Sequence, residues 1–316
     1  MRKFHLVAGM PRAGSTLLCQ ILNSNPKHHV TPTSGVIDML RNMRSTFSHN
    51  PSFKAQNRIE LYNDFRAGLK GFLDGYFDSK EVVFDKSRGW PNNLPVLDAI
   101  LQNNETKVIW CYRDPVEIIS SIEAQYQKTI LIENADEASI PGAFTTLDRR
   151  IGTYANEDGL VGQPLTALRD AIEMGNLSRI LFVKYFDLTN NTQLVMNAIH
   201  EFIGEEPFEY DINNVKQSTF EWDGTYNYKF LHTIKEGEIK WKKGDIDLPI
   251  KYVQAINEKF VAINKLIFEG SVAELAGEEF ANQQVNMIMI PEQTQEFIQP
   301  EENSASQSEK PNPFQL

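Results

Sequence analysis

Between a short apolar run, Phe4–Ala8, and a helical pattern, Leu17, Leu18, Ile21 and Leu22, the chain reads Gly9-Met10-Pro11-Arg12-Ala13-Gly14-Ser15-Thr16. A loop between a strand and a helix turns backbone N–H groups toward one point, and the helix N-terminus adds its dipole. Glycines let a ligand approach the backbone closely. The chemistry offered is therefore the binding of a phosphate-like anion. The pattern G-x-x-x-x-G-K-[ST] is met at Gly9, Gly14 and Thr16, but Ser15 stands at the lysine position. Arg12 supplies the positive charge instead. A tight turn without a ligand is the plainer reading, but Pro, Arg, two Gly, Ser and Thr are a costly way to build one.

Two further groups carry charge at strand ends. Val108–Tyr112 runs into Arg113-Asp114-Pro115, with Ser121 eight residues after Arg113. Asp114 suits an N-cap and Pro115 the first helical position. Arg113 would then project where ligands bind in open α/β sheets, and Ser121, about two turns along, could reach the same phosphate. The alternative is a buried Arg–Asp cap with a packed serine. After Glu81–Phe84 comes Asp85-Lys86-Ser87-Arg88-Gly89-Trp90. Lys86 faces the same crevice unless it is only a solvated surface lysine. Trp90 reads as a packing residue.

Taken together, these segments resemble the sulfotransferase superfamily, closest to its tyrosylprotein-sulfotransferase-like and bacterial branches. Pro11-Arg12-Ala13-Gly14-Ser15-Thr16 matches its 5′-phosphosulfate loop, and Arg113…Ser121 its 3′-phosphate site, in order and spacing. The resemblance runs from about Phe4 to about Phe268. It implies a sulfuryl group moved in line from 3′-phosphoadenosine-5′-phosphosulfate (PAPS) to a hydroxyl or amine acceptor, with no metal. It implies that Pro11, Arg12, Ala13, Gly14, Ser15 and Thr16 hold the 5′-phosphosulfate and that Arg113 and Ser121 hold the 3′-phosphate. Lys86, with Arg12, would meet the charge that grows as the S–O bond breaks. Arg88 stands where cytosolic members carry a histidine, a departure from that branch. Tyr185, in Tyr185-Phe186-Asp187-Leu188, would lie near the adenosine. Lys235, in Lys235-Glu236-Gly237…Trp241-Lys242, would fold over the 3′-phosphate.

The general base does not carry over. The tyrosylprotein branch uses a Glu after the first helix, and ungapped alignment puts Thr33 there. Asp38, one helical turn on, ranks first as substitute; Asp85, His28 and His29 are the others. Two other readings stand beside the transferase. A P-loop nucleotide or nucleoside kinase is disfavoured by Ser15 and by the lack of an evident Mg²⁺-holding Asp. A non-catalytic nucleotide-binding relative is disfavoured by Lys86.

The elements needed to position these groups are legible as alternating patterns. Strands at Phe4–Ala8, Glu81–Phe84, Lys107–Tyr112 and Ile180–Lys184 are separated by helical periodicity at Arg58–Phe77, Leu94–Leu101, Val116–Tyr126, Leu165–Met174 and Leu194–Ile203, with Gly204 as a helix-ending residue. Lys251–Phe268 reads as a closing helix. The expected fold is α/β, P-loop-like and three-layered, with a mostly parallel sheet between helices. Residues 1–270 form the expected domain and 271–316 an acidic, polar, largely disordered tail, in which Val285–Ile290 is an apolar island that either docks as a strand or stays a linker.

Composition limits the partners. The 316 residues are 41% hydrophobic and 23% charged, with a net charge of −11, of which residues from Ser271 onward, with eight Glu and one Lys, carry −7. No basic excess points to nucleic acid. Cys19 and Cys111 lie in apolar runs and read as core residues. With no apolar span and no signal-peptide pattern, a cytoplasmic location without membrane insertion is expected. The acceptor is a small molecule, carbohydrate or peptide; the segments Asn42–Asn57 and Gln127–Gly162, which contain Phe144, Arg149, Arg150 and Tyr154 but also several acids, are expected to form its walls. Oligomeric state is not encoded legibly.

Overall fold

The computed structural model describes residues 2–290, apart from 57, 59, 78–79, 141, 228–231, 241–245 and 289. Six parallel strands form one sheet in the order β2-β3-β1-β4-β5-β6. They are β1 (Lys3–Gly9), β2 (His28–Thr33), β3 (Val82–Lys86), β4 (Val108–Tyr112), β5 (Ile180–Lys184) and β6 (Asn286–Met287). Every residue of β3 and β4 is buried. A strand buried along its whole length needs cover on both faces, and helices supply it in a parallel sheet. The expected α/β architecture is what forms.

Chain order places the chemistry. β1 lies between β3 and β4, with Val7 opposite Lys86 and Gly9 opposite Cys111. The carboxyl ends of these strands, and the segments that follow Gly9, Lys86 and Tyr112, are therefore neighbours. The edge strand β2 was not expected from the sequence. Polar residues and Pro32 obscure its pattern, but an edge strand tolerates a proline, and its register with β3 shifts between Val30 and Thr33.

Helix α1 (Ser15–Asn23) follows the first loop and α2 (Val36–His49) follows β2. Gly204 ends the helix Thr192–Ile203 in the left-handed conformation, as expected. The single closing helix expected at Lys251–Phe268 is two, Ile250–Lys259 and Val261–Glu269. Buried Phe260 leaves helical geometry between them. Beyond it Val272 is fully buried, and the apolar island docks: Asn286 and Met287 pair with Leu181 and Phe182. The rest of the expected tail, 291–316, lies outside the described residues.

Within Gln127–Gly162, one of the segments expected to wall an acceptor site, Phe144 and Tyr154 are core side chains 2% and 1% exposed. Arg150 makes a two-pronged ion pair with buried Glu123, at 2.9 Å (Nε–Oε1) and 2.7 Å (Nη2–Oε2), and stacks 4.4 Å over Tyr126. These groups tie the helix Leu147–Ala155 to the helix Pro115–Lys128 and have a packing role. Arg149 donates to the Gly142 carbonyl at 3.1 Å. No helix among the described residues is long and apolar enough to cross a membrane.

Candidate active site

Gly9 has φ 129°, and a Cβ there would lie 2.1 Å from the Cys111 carbonyl oxygen. Only glycine lets β1 leave the sheet so close to β4. Arg12 takes φ 58° and Gly14 φ 87°. A left-handed arginine is uncommon and belongs to the turned backbone that makes anion-binding concavities. Gly14 caps α1 without a side-chain hydrogen bond. The first N–H groups of α1 are thus not satisfied by a capping side chain, which is how helix starts receive anions.

The second motif closes onto this loop. Asp114 caps the helix Pro115–Lys128, accepting from the Val116 and Glu117 N–H groups at 2.7 and 3.2 Å. That fixes Ser121 two turns along, and Arg12 Nε donates to Ser121 Oγ at 3.1 Å. Arg113, 8% exposed, donates to the Arg12 carbonyl at 3.2 Å and pairs with Glu117 at 2.7 Å. Its guanidinium lies 4.4 Å over the Tyr185 ring. Tyr185 in turn covers Gly14, where a Cβ would meet Tyr185 Cδ2 at 2.7 Å. Residues from three strand ends, Arg12, Arg113 with Ser121, and Tyr185, share one wall.

Lys86 forms the other wall. It ends β3 with its side chain 8% exposed, and its ammonium donates to Thr16 Oγ1 at 3.3 Å and to Glu221 Oε1 at 2.8 Å. Asp85, on the opposite face of β3, is fully buried and accepts from Thr31, Ser34 and Trp90 at 2.9, 3.0 and 2.6 Å. Burial pushes its carboxyl above the usual range despite those three bonds. Through Thr31, Asp85 ties β2 to β3.

Glu221 was not singled out from the sequence. Its Oε1 also accepts from the Thr33 N–H and hydroxyl at 2.9 and 3.0 Å. Its Oε2 lies 3.2 Å from His232 Nδ1, which lies 2.7 Å from Asp223. Gln20 of α1 anchors the segment, accepting from the Ser218 and Thr219 N–H groups at 2.7 and 3.1 Å. Burial opposes ionisation of Glu221, but Lys86, the Thr33 N–H and His232 together hold its carboxyl below the ordinary range. The only local signal is a carboxylate between two aromatics, Phe220 and Trp222, in an otherwise polar stretch.

Other expected residues fall elsewhere. α2 buries Val36, Ile37 and Leu40, which turns Asp38 to solvent, 68% exposed and 3.5 Å from Arg41. His28 and His29 begin β2 at the Val82 end of β3, about 13 Å of strand from Lys86. His28 packs on Phe84 and His200, and burial lowers its pKa to about 4. Lys235 is exposed, beside the bridge between Val215 and Gly237. Trp241 and Lys242 lie outside the described residues. Arg88 donates to the Leu160 carbonyl at 3.0 Å. Both cysteines are buried, and burial pushes the Cys19 thiol up to about 12. Among the described residues, no group of His, Cys, Asp and Glu is arranged to hold a metal ion.

The sulfotransferase domain model matches residues 3–244. Among solved structures, the sulfotransferase domain from the curacin biosynthetic pathway aligns over 83% of this chain and 98% of its own, with TM-score 0.51 and 16% identity. The sulfotransferase domain of the Synechococcus PCC 7002 olefin synthase aligns over 82% and 95%, with TM-score 0.41 and 16% identity. A mouse sulfotransferase complexed with PAP aligns over 87% of each chain, with TM-score 0.47 and 13% identity. No curated protein sequence matches the chain. With the domain match spanning most of its length, and the two loops closed onto each other at the sheet edge, this chain belongs to the sulfotransferase family.

Proposed function

We propose that the protein transfers a sulfuryl group from PAPS to a hydroxyl or amine of a small-molecule, carbohydrate or peptide acceptor. The observation that carries this reading is the convergence of two motifs about a hundred residues apart. Arg12 meets Ser121, Arg113 meets the Arg12 carbonyl, and Lys86 meets Thr16, all around the start of α1. Three cations and an uncapped helix start suit a ligand with separate anionic ends, which the 3′-phosphate and 5′-phosphosulfate of PAPS provide.

In this assignment the loop Pro11–Thr16 and the α1 N-terminus hold the 5′-phosphate. Arg113 and Ser121 hold the 3′-phosphate, Tyr185 lies near the base, and Lys235 folds over the 3′-phosphate. Lys86 meets the negative charge that develops on the bridging oxygen. A fixed ammonium in a largely dry site stabilises that charge more than solvent would. Thr16, 3.3 Å from Lys86, keeps the ammonium over the loop.

The test is transfer from sulfur-labelled PAPS to a panel of alcohols, phenols and amines, comparing wild type with Lys86→Ala. Loss of turnover at least tenfold larger than any loss of PAP affinity supports the assignment. Equal losses in both would make Lys86 a binding residue only.

A further inference from the structure

We infer that Glu221 is the general base that takes the acceptor's proton, an inference that rests on the sulfotransferase reading above. Attack on sulfur needs the acceptor oxygen or nitrogen beside Lys86, which marks the sulfur, and a base within hydrogen-bond reach of it. Among the described carboxylates, Glu221 is the one bonded to the Lys86 ammonium. Asp38 is turned to solvent, Asp85 is spent on three buried hydrogen bonds, and His28 and His29 sit at the far end of β2.

The placement of Glu221 is built rather than incidental. Thr33 holds Oε1 with both its N–H and its hydroxyl, and His232, itself held by Asp223, stands against Oε2. Gln20 anchors Ser218 and Thr219, three and two residues before Glu221, to α1, the same helix that starts the anion site. Glu221 thus arrives from 188 positions along the chain at the spot where the β2 residue, Thr33, has no carboxylate of its own. The side chain is 10% exposed, so water competes little for it.

The step balances without a further reactant. The acceptor proton passes to Glu221, and the acceptor lone pair forms the new bond to sulfur. The old S–O bond breaks with its electron pair left on the 5′-phosphate oxygen, where Lys86 and the α1 N-terminus meet the charge. The transfer begins as Lys86 turns from Glu221 Oε1 to that oxygen, which frees a position on Oε1 for the acceptor's proton. The protonated carboxyl then returns its proton to solvent.

The experiment uses the full chain and needs no identified acceptor. PAP release from PAPS is followed with water as acceptor, and PAP affinity is measured in parallel. Glu221→Gln keeps the shape and is expected to bind PAP within about threefold of wild type but to release PAP about 100-fold more slowly, the lower range for a lost general base. Added formate is expected to restore turnover to Glu221→Ala and none to Lys86→Ala, which a purely structural carboxylate would not show. The inference is overturned if Glu221→Gln turns over like wild type, or if Glu221→Ala binds PAP but formate restores nothing. A wild type that binds PAP yet never releases it from PAPS also overturns it. A wild type that fails to bind PAP brings down the donor assignment instead.

Discussion

Arg113→Ala should weaken PAP binding far more than 5′-AMP binding, because the two ligands differ in the 3′-phosphate that Arg113 is proposed to hold. The guanidinium is 8% exposed, so its contact with a phosphate would be a charge-assisted, shielded bond of about 2 kcal/mol. Its loss has a second effect. Glu117, 22% exposed and paired to Arg113 at 2.7 Å, is left facing the incoming anion, which adds about 1 kcal/mol of repulsion. The sum, about 3 kcal/mol, is roughly a hundredfold in Kd. For 5′-AMP the loss should stay within about fivefold, under about 1 kcal/mol. Calorimetric titration of both ligands reads this directly. The double variant Arg113→Ala/Glu117→Ala should recover about 1 kcal/mol for PAP, since the stranded carboxylate is gone. Equal losses for the two ligands, or an unchanged PAP affinity, would refute the assignment of Arg113 and Ser121 to the 3′-phosphate.

Other consequences follow from particular contacts. Asp38→Asn should leave turnover of PAPS within about twofold, because a solvent-facing carboxylate of this kind contributes little; a large loss would return Asp38 to the site. Gly9→Ala forces a Cβ onto the Cys111 carbonyl in a positive-φ residue, so chemical denaturation should show a loss of about 3 kcal/mol or more. Arg150→Met leaves the buried Glu123 carboxylate unpaired, and a destabilisation of about 3–5 kcal/mol is expected in the same assay. Burial lowers His5 and His28 from 6.5 to about 3 and about 4. The folded state therefore holds them neutral, and their stability is full above pH 6.5 and falls as pH drops toward those values. At about pH 5 each costs about 2 kcal/mol, so His28→Leu should flatten the acid limb of the stability curve.

The parts of the fold written in continuous local signals were legible. β1, β3, β4 and β5 are apolar runs that end at Gly9, Lys86, Tyr112 and Lys184, and the loop and the Arg113–Ser121 pair carry their spacing on the surface of the sequence. What escaped was set by contacts across the chain. β2 is an edge strand with alternating polar residues and Pro32, so no apolar run marks it. Asp38 was ranked as a base because it stands one helical turn after Thr33, but the helix starts at Val36 and its apolar stripe rotates Asp38 away. Arg150, Phe144 and Tyr154 lie in a segment read as an acceptor wall, yet their partners Glu123 and Tyr126 are on another helix. Glu221 reaches Thr33 and Lys86 only because Gln20 anchors a segment some 200 residues later, and no local pattern encodes such a contact.

Titration of the wild-type protein with PAP, run beside ATP–Mg²⁺, tests the central claim most directly, since a ligand that binds only the folded state must raise its melting temperature. Saturable binding of PAP with a raised Tm, and no comparable effect of ATP–Mg²⁺, is the predicted result. Stabilisation by ATP–Mg²⁺ with indifference to PAP would contradict it and make the loop a nucleoside-triphosphate site.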